Sequence, residues 1–265
     1  MFFHSKYGKI YYQAEGNGFP IVMIHGTPFS SRVWDYIKNS LSKKYKIYTY
    51  DLLGYGESEK ARNVSLGVQN EILSELLDFW KIDKPNAVAH DFGGATLLRN
   101  IILNTRDYNK IILIDVVALS PWGSPFVQHV KNHEEVFNKI PDYIHKAIVT
   151  AYIKDAIFSN VADKDIEYLI HPWLGESGKK AFYRQIAQMD EKYTREIEQE
   201  YSKIKIPTKI LWGENDNWIP IDRGRELHKI IEESEFVGIP NCNHLVQMDS
   251  PNTIIHEIND FFQER

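Results

Sequence analysis

The sequence predicts an α/β fold: a mostly parallel sheet flanked by helices, with a helical cap inserted after the sixth strand. Three observations predict it. Continuous apolar runs such as Pro20-Ile-Val-Met-Ile24 and Ile111-Ile-Leu-Ile114 have no polar face, which suits strands covered on both sides. These runs alternate with segments of helical apolar spacing. Finally, the run Asn86-Ala-Val-Ala-His90 stops at Asp91, meets Gly93 and Gly94, and gives way at once to a helical pattern, so a strand, a sharp turn and a helix follow one another.

Taken in order, Lys9 to Gly16 alternates weakly and reads as a strand hairpinned with residues near 2 to 6. Pro20 to His25 is the first buried strand. Val33, Trp34, Ile37 and Leu41 carry helical spacing, with Ser30 or Ser31 as cap. The strand Lys46 to Asp51 leads into the glycine loop Leu52 to Ser58, and a helix from about Ser65 to Trp80 leads to the turn at Asp91. After the next strand, Lys110 to Val117, strand patterns vanish. Pro125 to Ile140, Pro141 to Ala156, Asp163 to His171 and Lys179 to Met189 all read as helices. The sheet resumes with Thr208 to Gly213, a helix from Ile221 to Glu233, the strand Glu235 to Ile239, and a last helix from Pro251 to Phe262. Residues 1–119 and 204–265 therefore form the core domain and 120–203 the cap, placed over the sheet edge where open α/β folds bind ligands.

The chain's 265 residues suffice for one large core with an insertion. Lys plus Arg number 31 against 36 Asp plus Glu, a formal charge of −5, so neither nucleic acid nor an anionic membrane is an expected partner. The start lacks a basic region followed by an apolar one, no run is long enough to span a membrane, and Cys242 is the single cysteine. A cytoplasmic protein is expected; the sequence does not give its oligomeric state. His129 and His133 stand four apart on a helical pattern, but no third ligand joins them, so neither metal nor cofactor is expected.

At the turn, Asp91 is lifted above the N-terminus of the next helix, and its neighbours Ala89, Gly93 and Gly94 are small enough for the tight backbone. The form is that of a nucleophile elbow with aspartate in place of serine. A capping role for Asp91 is the alternative. A carboxylate with a reference pKa of about 3.9 is already ionised at neutral pH and needs no base to attack. Attack on an ester carbonyl would give an anhydride, whereas displacement at a saturated carbon gives an alkyl ester of the enzyme. Aspartate thus favours substrates with a leaving group on sp³ carbon.

With His25-Gly-Thr-Pro28, Asp51-x-x-Gly54-x-Gly56-x-Ser58, the elbow, Gly213-x-x-Asp216-x-x-x-Pro220 and His244 in this order, the chain resembles the α/β-hydrolase fold family over nearly all its length. Within it, His25 to Trp34, Asp51 to Ser58 and His90-Asp-Phe-Gly-Gly94 look most like the haloalkane dehalogenase and epoxide hydrolase branch, whose nucleophile is aspartate. The resemblance implies Asp91 as nucleophile, His244 as base and Asp216 as the acid that orients it. Glu214 and Asp115 remain rival acids. It also implies an oxyanion hole made by the N–H groups of Thr27 and Phe92.

Haloalkane dehalogenases usually carry Trp after the nucleophile and often Asn in the His-Gly-x-Pro slot; here those positions are Phe92 and Thr27, so a halide would need an indole from Trp122 or Trp173 of the cap. Epoxide hydrolases use cap tyrosines, for which Tyr143, Tyr152, Tyr168 and Tyr183 are candidates. The expected activity is hydrolysis through an alkyl-Asp91 ester of a small apolar organic substrate, dehalogenase-like, with water as second reactant. An epoxide hydrolase, an ester or lactone hydrolase with Asp91 as base, and a non-catalytic ligand-binding protein are the alternatives.

Overall fold

A computed structural model describes residues 1–263. Eight strands form one sheet: β1 (Phe2–Ser5), β2 (Gly8–Glu15), β3 (Pro20–Ile24), β4 (Lys46–Tyr50), β5 (Asn86–His90), β6 (Ile111–Ile114), β7 (Thr208–Gly213) and β8 (Ser234–Ile239). Their spatial order is β1-β2-β4-β3-β5-β6-β7-β8, antiparallel in the first two pairings and parallel from β4 onward. This is the α/β-hydrolase fold. Every residue of β5, β6 and β7 is buried, which suits runs that are apolar throughout in β6 and broken only near the strand ends in β5 and β7.

The helices are α1 (Asp35–Leu41), α2 (Leu66–Trp80), α3 (Phe92–Ile102), α4 (Pro125–Asn138), α5 (Asp142–Asp155), α6 (Asp163–Ile170), α7 (Gly175–Ala187), α8 (Lys192–Arg195), α9 (Ile221–Ile230), α10 (Val246–Asp249) and α11 (Pro251–Phe262). In α11, Ile254, Ile258 and Phe262 are buried at four-residue spacing, so they form one stripe facing the core. Each such side chain contributes on the order of 2 kcal/mol by leaving water. Helices α4 to α8 all lie between β6 and β7. No helix among the described residues is long and apolar enough to cross a membrane.

The entry to α1 departs from the sequence expectation. A 3-10 turn, Ser31–Trp34, precedes the helix, and Ser30 at the cap position makes no side-chain capping bond. Asp51 does that work from the next strand's end: its Oδ1 accepts Ser31 N–H at 2.7 Å and its Oδ2 accepts Glu57 N–H at 2.7 Å. The same carboxylate thus ties the glycine loop to the turn that carries Thr27.

Candidate active site

Asp91 has φ 49° and ψ −118°, a left-handed backbone that a side-chain-bearing residue keeps only when its surroundings hold it there. They do. Asp91 N–H donates to Ile114 O at 3.2 Å, and Asp91 O accepts Gly94 N–H at 2.9 Å. A Cβ on Gly93 would run into the carbonyls of Ile24 and His25, so the turn packs against β3 only because that position is glycine.

The loops after β3, β7 and β8 bring three groups to this carboxylate. Thr27 N–H donates to Asp91 Oδ1 at 2.7 Å. His244 Nε2 stands 3.4 Å from Asp91 Oδ2, a charge contact rather than an aligned hydrogen bond, since Nε2 has no hydrogen-bond partner among the described residues. On its other side, His244 Nδ1 lies 2.9 Å from Asp216 Oδ2. Asp216 Oδ1 accepts the N–H groups of Trp218 at 2.7 Å and Ile219 at 2.9 Å, which fixes its orientation. Asn243 joins the two loops: its Oδ1 accepts both Asn217 N–H and His244 N–H.

The electrostatics follow from burial and proximity. Burial works against a charged His244, but the charge and hydrogen bond of Asp216, joined by the nearby charge of Asp91, outweigh it and raise the imidazole well above its ordinary range. Burial likewise pushes the Asp91 carboxyl up. His244, His90 and the Thr27 N–H together reverse this and hold it below the usual carboxylate value. His25 and His90 serve the scaffold: His25 Nε2 accepts Leu52 N–H at 2.9 Å, and His90 Nε2 donates to His244 O at 2.9 Å.

Among the rival acids, Glu214 is exposed. Asp115, at the end of β6, is fully buried, accepts Gly213 N–H at 2.8 Å on Oδ1, and has no partner for Oδ2 among the described residues. Burial first, and the neighbouring Asp216 charge second, raise its carboxyl well above the ordinary value. Asp216, not Asp115, holds the imidazole.

A cavity of about 590 Å³ opens above Asp91, with Thr27 and Phe92 beside it and Phe126, Tyr152 and Trp218 in its walls. Of the candidate lining residues, Trp122 and Tyr152 belong to it. Tyr143 does not: it is 73% exposed. Nine positions separate it from Tyr152 on α5, which at 3.6 residues per turn puts the two on opposite faces. Trp173 and Tyr183 are also corrected, being buried away from the cavity. The Trp173 indole donates to Pro28 O at 2.6 Å, and the Tyr183 hydroxyl meets His145 Nδ1 at 3.0 Å. Trp122 spends its indole N–H on Thr194 Oγ1 at 2.9 Å, and Trp218 spends its own on Asp155 Oδ2 at 2.9 Å. No hydrogen bond ties the Tyr152 hydroxyl to the described residues, and burial first, with the Asp91 charge second, pushes its pKa well above the ordinary phenol value.

Several residues of the site were not anticipated, among them Trp218, Gln185, Tyr55 and Asp155. Trp218 lies between the rings of Tyr152, centroids 4.5 Å apart, and His244, 4.8 Å apart. Gln185 on α7 accepts from the Thr27 hydroxyl at 2.6 Å and from the Tyr55 hydroxyl at 2.9 Å, so a helix of the insertion steadies the turn beside Asp91. Asp155 ends α5 at the cavity. Trp218 had a signal, its position in the Asp216-to-Pro220 loop; the pairing of Tyr55 with Gln185 spans 130 positions and had none.

A model of the Alpha/beta hydrolase family matches residues 21–257. The structure of an alpha/beta hydrolase fold protein from Burkholderia ambifaria superimposes with a TM-score of 0.96 at 42% identity, covering 98% of this chain and 97% of that one. The 2-hydroxy-6-oxo-2,4-heptadienoate hydrolase of Pseudomonas putida is 24% identical over 93% of this chain and 90% of its own. A soluble epoxide hydrolase of Corynebacterium sp. is 25% identical over 96% of this chain and 93% of its own.

Proposed function

This chain belongs to the alpha/beta hydrolase family, and we propose that within it the protein hydrolyses epoxides through an ester on Asp91, with residues 120–203 serving as the cap domain. The observation that carries the reading is the state of the donors around the cavity. The indoles of Trp122 and Trp218 are both committed to protein acceptors, while the Tyr152 hydroxyl is not. A departing halide would find no indole N–H here. A departing alkoxide would find a phenol. The halide-displacing reading suggested by the sequence therefore loses its donors, and the soluble epoxide hydrolase relative is in keeping with the alternative.

In the first half, Asp91 Oδ2 attacks a ring carbon, the C–O bond of the epoxide breaks, and the alkoxide oxygen takes the Tyr152 proton. The carbonyl oxygen of the resulting ester is Oδ1, already held by Thr27 N–H. In the second half, His244 Nε2 removes a proton from water, which attacks the ester carbon; the oxyanion rests on the N–H groups of Thr27 and Phe92. Phe92 is the first residue of α3, where backbone N–H groups have no partner within the helix. Collapse releases the diol and restores Asp91, and the proton taken from water restores Tyr152. Asp216 keeps the imidazole oriented and balances its charge.

The test is a turnover panel of aryl and alkyl epoxides, bromoalkanes and p-nitrophenyl esters, with Asp91→Ala as control. Diol formation that vanishes in Asp91→Ala supports the reading. Bromide release without diol formation would return the weight to a dehalogenase, and ester turnover that survives Asp91→Ala would point to an esterase.

A further inference from the structure

We propose that the cavity above Asp91 selects its occupants by charge: it takes uncharged molecules, accepts a cationic end and rejects an anionic one, and Asp155 at its rim sets that sign. This deepens the reading given above by naming the substrate class, and it rests on that reading only for the kinetic part of its test.

The cavity walls contain two carboxylates, Asp91 and Asp155, and no lysine, arginine or histidine among the described residues. Behind the floor, His244 lies between Asp91 and Asp216, so a single imidazole faces two carboxylates and, even carrying a proton, could offset only one of their charges. The cations of the adjoining clefts are mostly spent: Arg195 is paired with Glu191, and Arg223 with Glu226 at 3.1 Å. Lys131 lines a neighbouring cleft rather than the cavity itself. The start of α4 reaches the wall, yet Pro125 carries no N–H and Val127 N–H is taken by Ser124 Oγ at 3.3 Å.

Aromatic rings share the cavity wall with these carboxylates: Tyr152 stacked on Trp218, and Phe126 with its centroid 5.1 Å from that of Tyr152. Negative ring faces beside a carboxylate attract a cation and repel an anion. Asp155 is exposed and lines the cavity; its Oδ2 accepts the Trp218 indole N–H, and no hydrogen bond engages its Oδ1 among the described residues.

The test measures dissociation constants of three unreactive probes that share a phenylpropyl frame, phenylpropanol, phenylpropionate and phenylpropylammonium, by isothermal titration of the intact protein. Phenylpropionate should bind about ten-fold or more weakly than the alcohol, the penalty expected for bringing like charges together near a surface, and the ammonium at least as tightly as the alcohol. Asp155→Asn keeps an acceptor for Trp218 and should narrow the gap between anion and alcohol several-fold; Asp155→Glu should restore it. Phenylpropionate binding as tightly as phenylpropanol, a gap indifferent to Asp155→Asn, or binding of none of the probes would overturn the proposal. In the kinetic part, glycidyl ethers with neutral, ammonium or carboxylate tails should follow the same order in kcat/KM. Probes that bind in that order while no epoxide is turned over would leave charge selection standing and sink the epoxide reading. Turnover indifferent to tail charge would do the reverse.

Discussion

The Thr27 amide and the Asp91 carboxylate are joined in the free protein: Thr27 N–H donates to Oδ1 at 2.7 Å. For a serine nucleophile that amide would wait for the substrate's oxygen. In the proposed mechanism, the oxygen that becomes an oxyanion belongs to the enzyme and already sits at its donor, so little reorganisation is needed when charge develops there. The arrangement also divides the carboxylate's labour. Oδ1 is anchored, and Oδ2, 3.4 Å from His244, is the oxygen left to attack.

Removing the base should therefore stop the reaction after its first half. In His244→Ala, incubation with a turned-over epoxide should add the whole mass of that epoxide to the peptide containing Asp91, because ring opening loses no atoms. Mass spectrometry of the digested variant reads this directly. An active substrate that leaves His244→Ala unlabelled would falsify the covalent mechanism.

The two half-reactions should differ in pH dependence. Asp91 is held below the usual carboxylate range, so its attack should be level between roughly pH 5 and 8. Ester formation removes the Asp91 charge, one of the groups that raises His244, so the imidazole becomes easier to deprotonate once it is needed as base. Rapid-quench measurements should show ester breakdown rising with pH to a plateau while ester formation stays flat. A slope in the formation step alone would contradict this.

Much of this site was legible in the sequence because it is built from loops that leave consecutive strand ends. Asp91 and Asp216 follow the fully buried strands β5 and β7, His244 follows the half-buried edge strand β8, and the parallel sheet brings such positions to one edge whatever fills the intervening chain. The side chains of the insertion were not legible. Whether Tyr143 or Tyr152 faces the cavity depends on the rotation of α5, which the sheet does not set. That rotation is held by long-range bonds such as Asn243 Nδ2 to Asp155 O at 2.7 Å and Leu245 N–H to Ala156 O at 2.8 Å.

The choice between Asp216 and Asp115 has a direct test. His244 Nδ1 bonds to Asp216, so Asp216→Asn should lower kcat by on the order of a hundred-fold or more as the imidazolium loses its counter-charge. Burial first, and the Asp216 charge second, push the Asp115 carboxyl well above its ordinary value, which favours its neutral form. Asp115→Asn should retain kcat within a few-fold, whereas Asp115→Ala, which abandons Gly213 N–H, should destabilise the fold by roughly 1–3 kcal/mol. Equal losses of kcat in the two Asn variants would show that both carboxylates act on the base.

His90 should govern part of the acid limb of stability. Burial, reinforced by the neighbouring His244, pushes it down to about 3, while an unfolded chain would bind the proton near 6.5. The folded-state value is the depressed one, so the unfolded state holds more protons between these limits. The contribution is complete above about pH 6.5 and is lost as pH falls toward 3, at no more than ~1.4 kcal/mol per pH unit. His90→Asn, which can still donate to His244 O, should flatten the fall of unfolding free energy between pH 6.5 and 4 relative to wild type. Parallel curves for the two proteins would mean that His90 is not the group responsible.

Tyr152→Phe separates ring opening from everything else the residue does. The phenyl ring can still stack on Trp218, so the wall and the His244 loop should keep their shape. Only the proton for the alkoxide is lost. Ester formation from an epoxide should then slow by roughly 10²–10⁴-fold, the usual span for a lost general acid, with little change in KM. A substrate whose leaving group needs no proton, such as a bromoalkane, should alkylate Asp91 at an unaltered rate in the variant, provided that the wild type accepts it. If Tyr152→Phe opens epoxides as fast as wild type, the proton comes from elsewhere, and the observation on which the epoxide reading stands is removed.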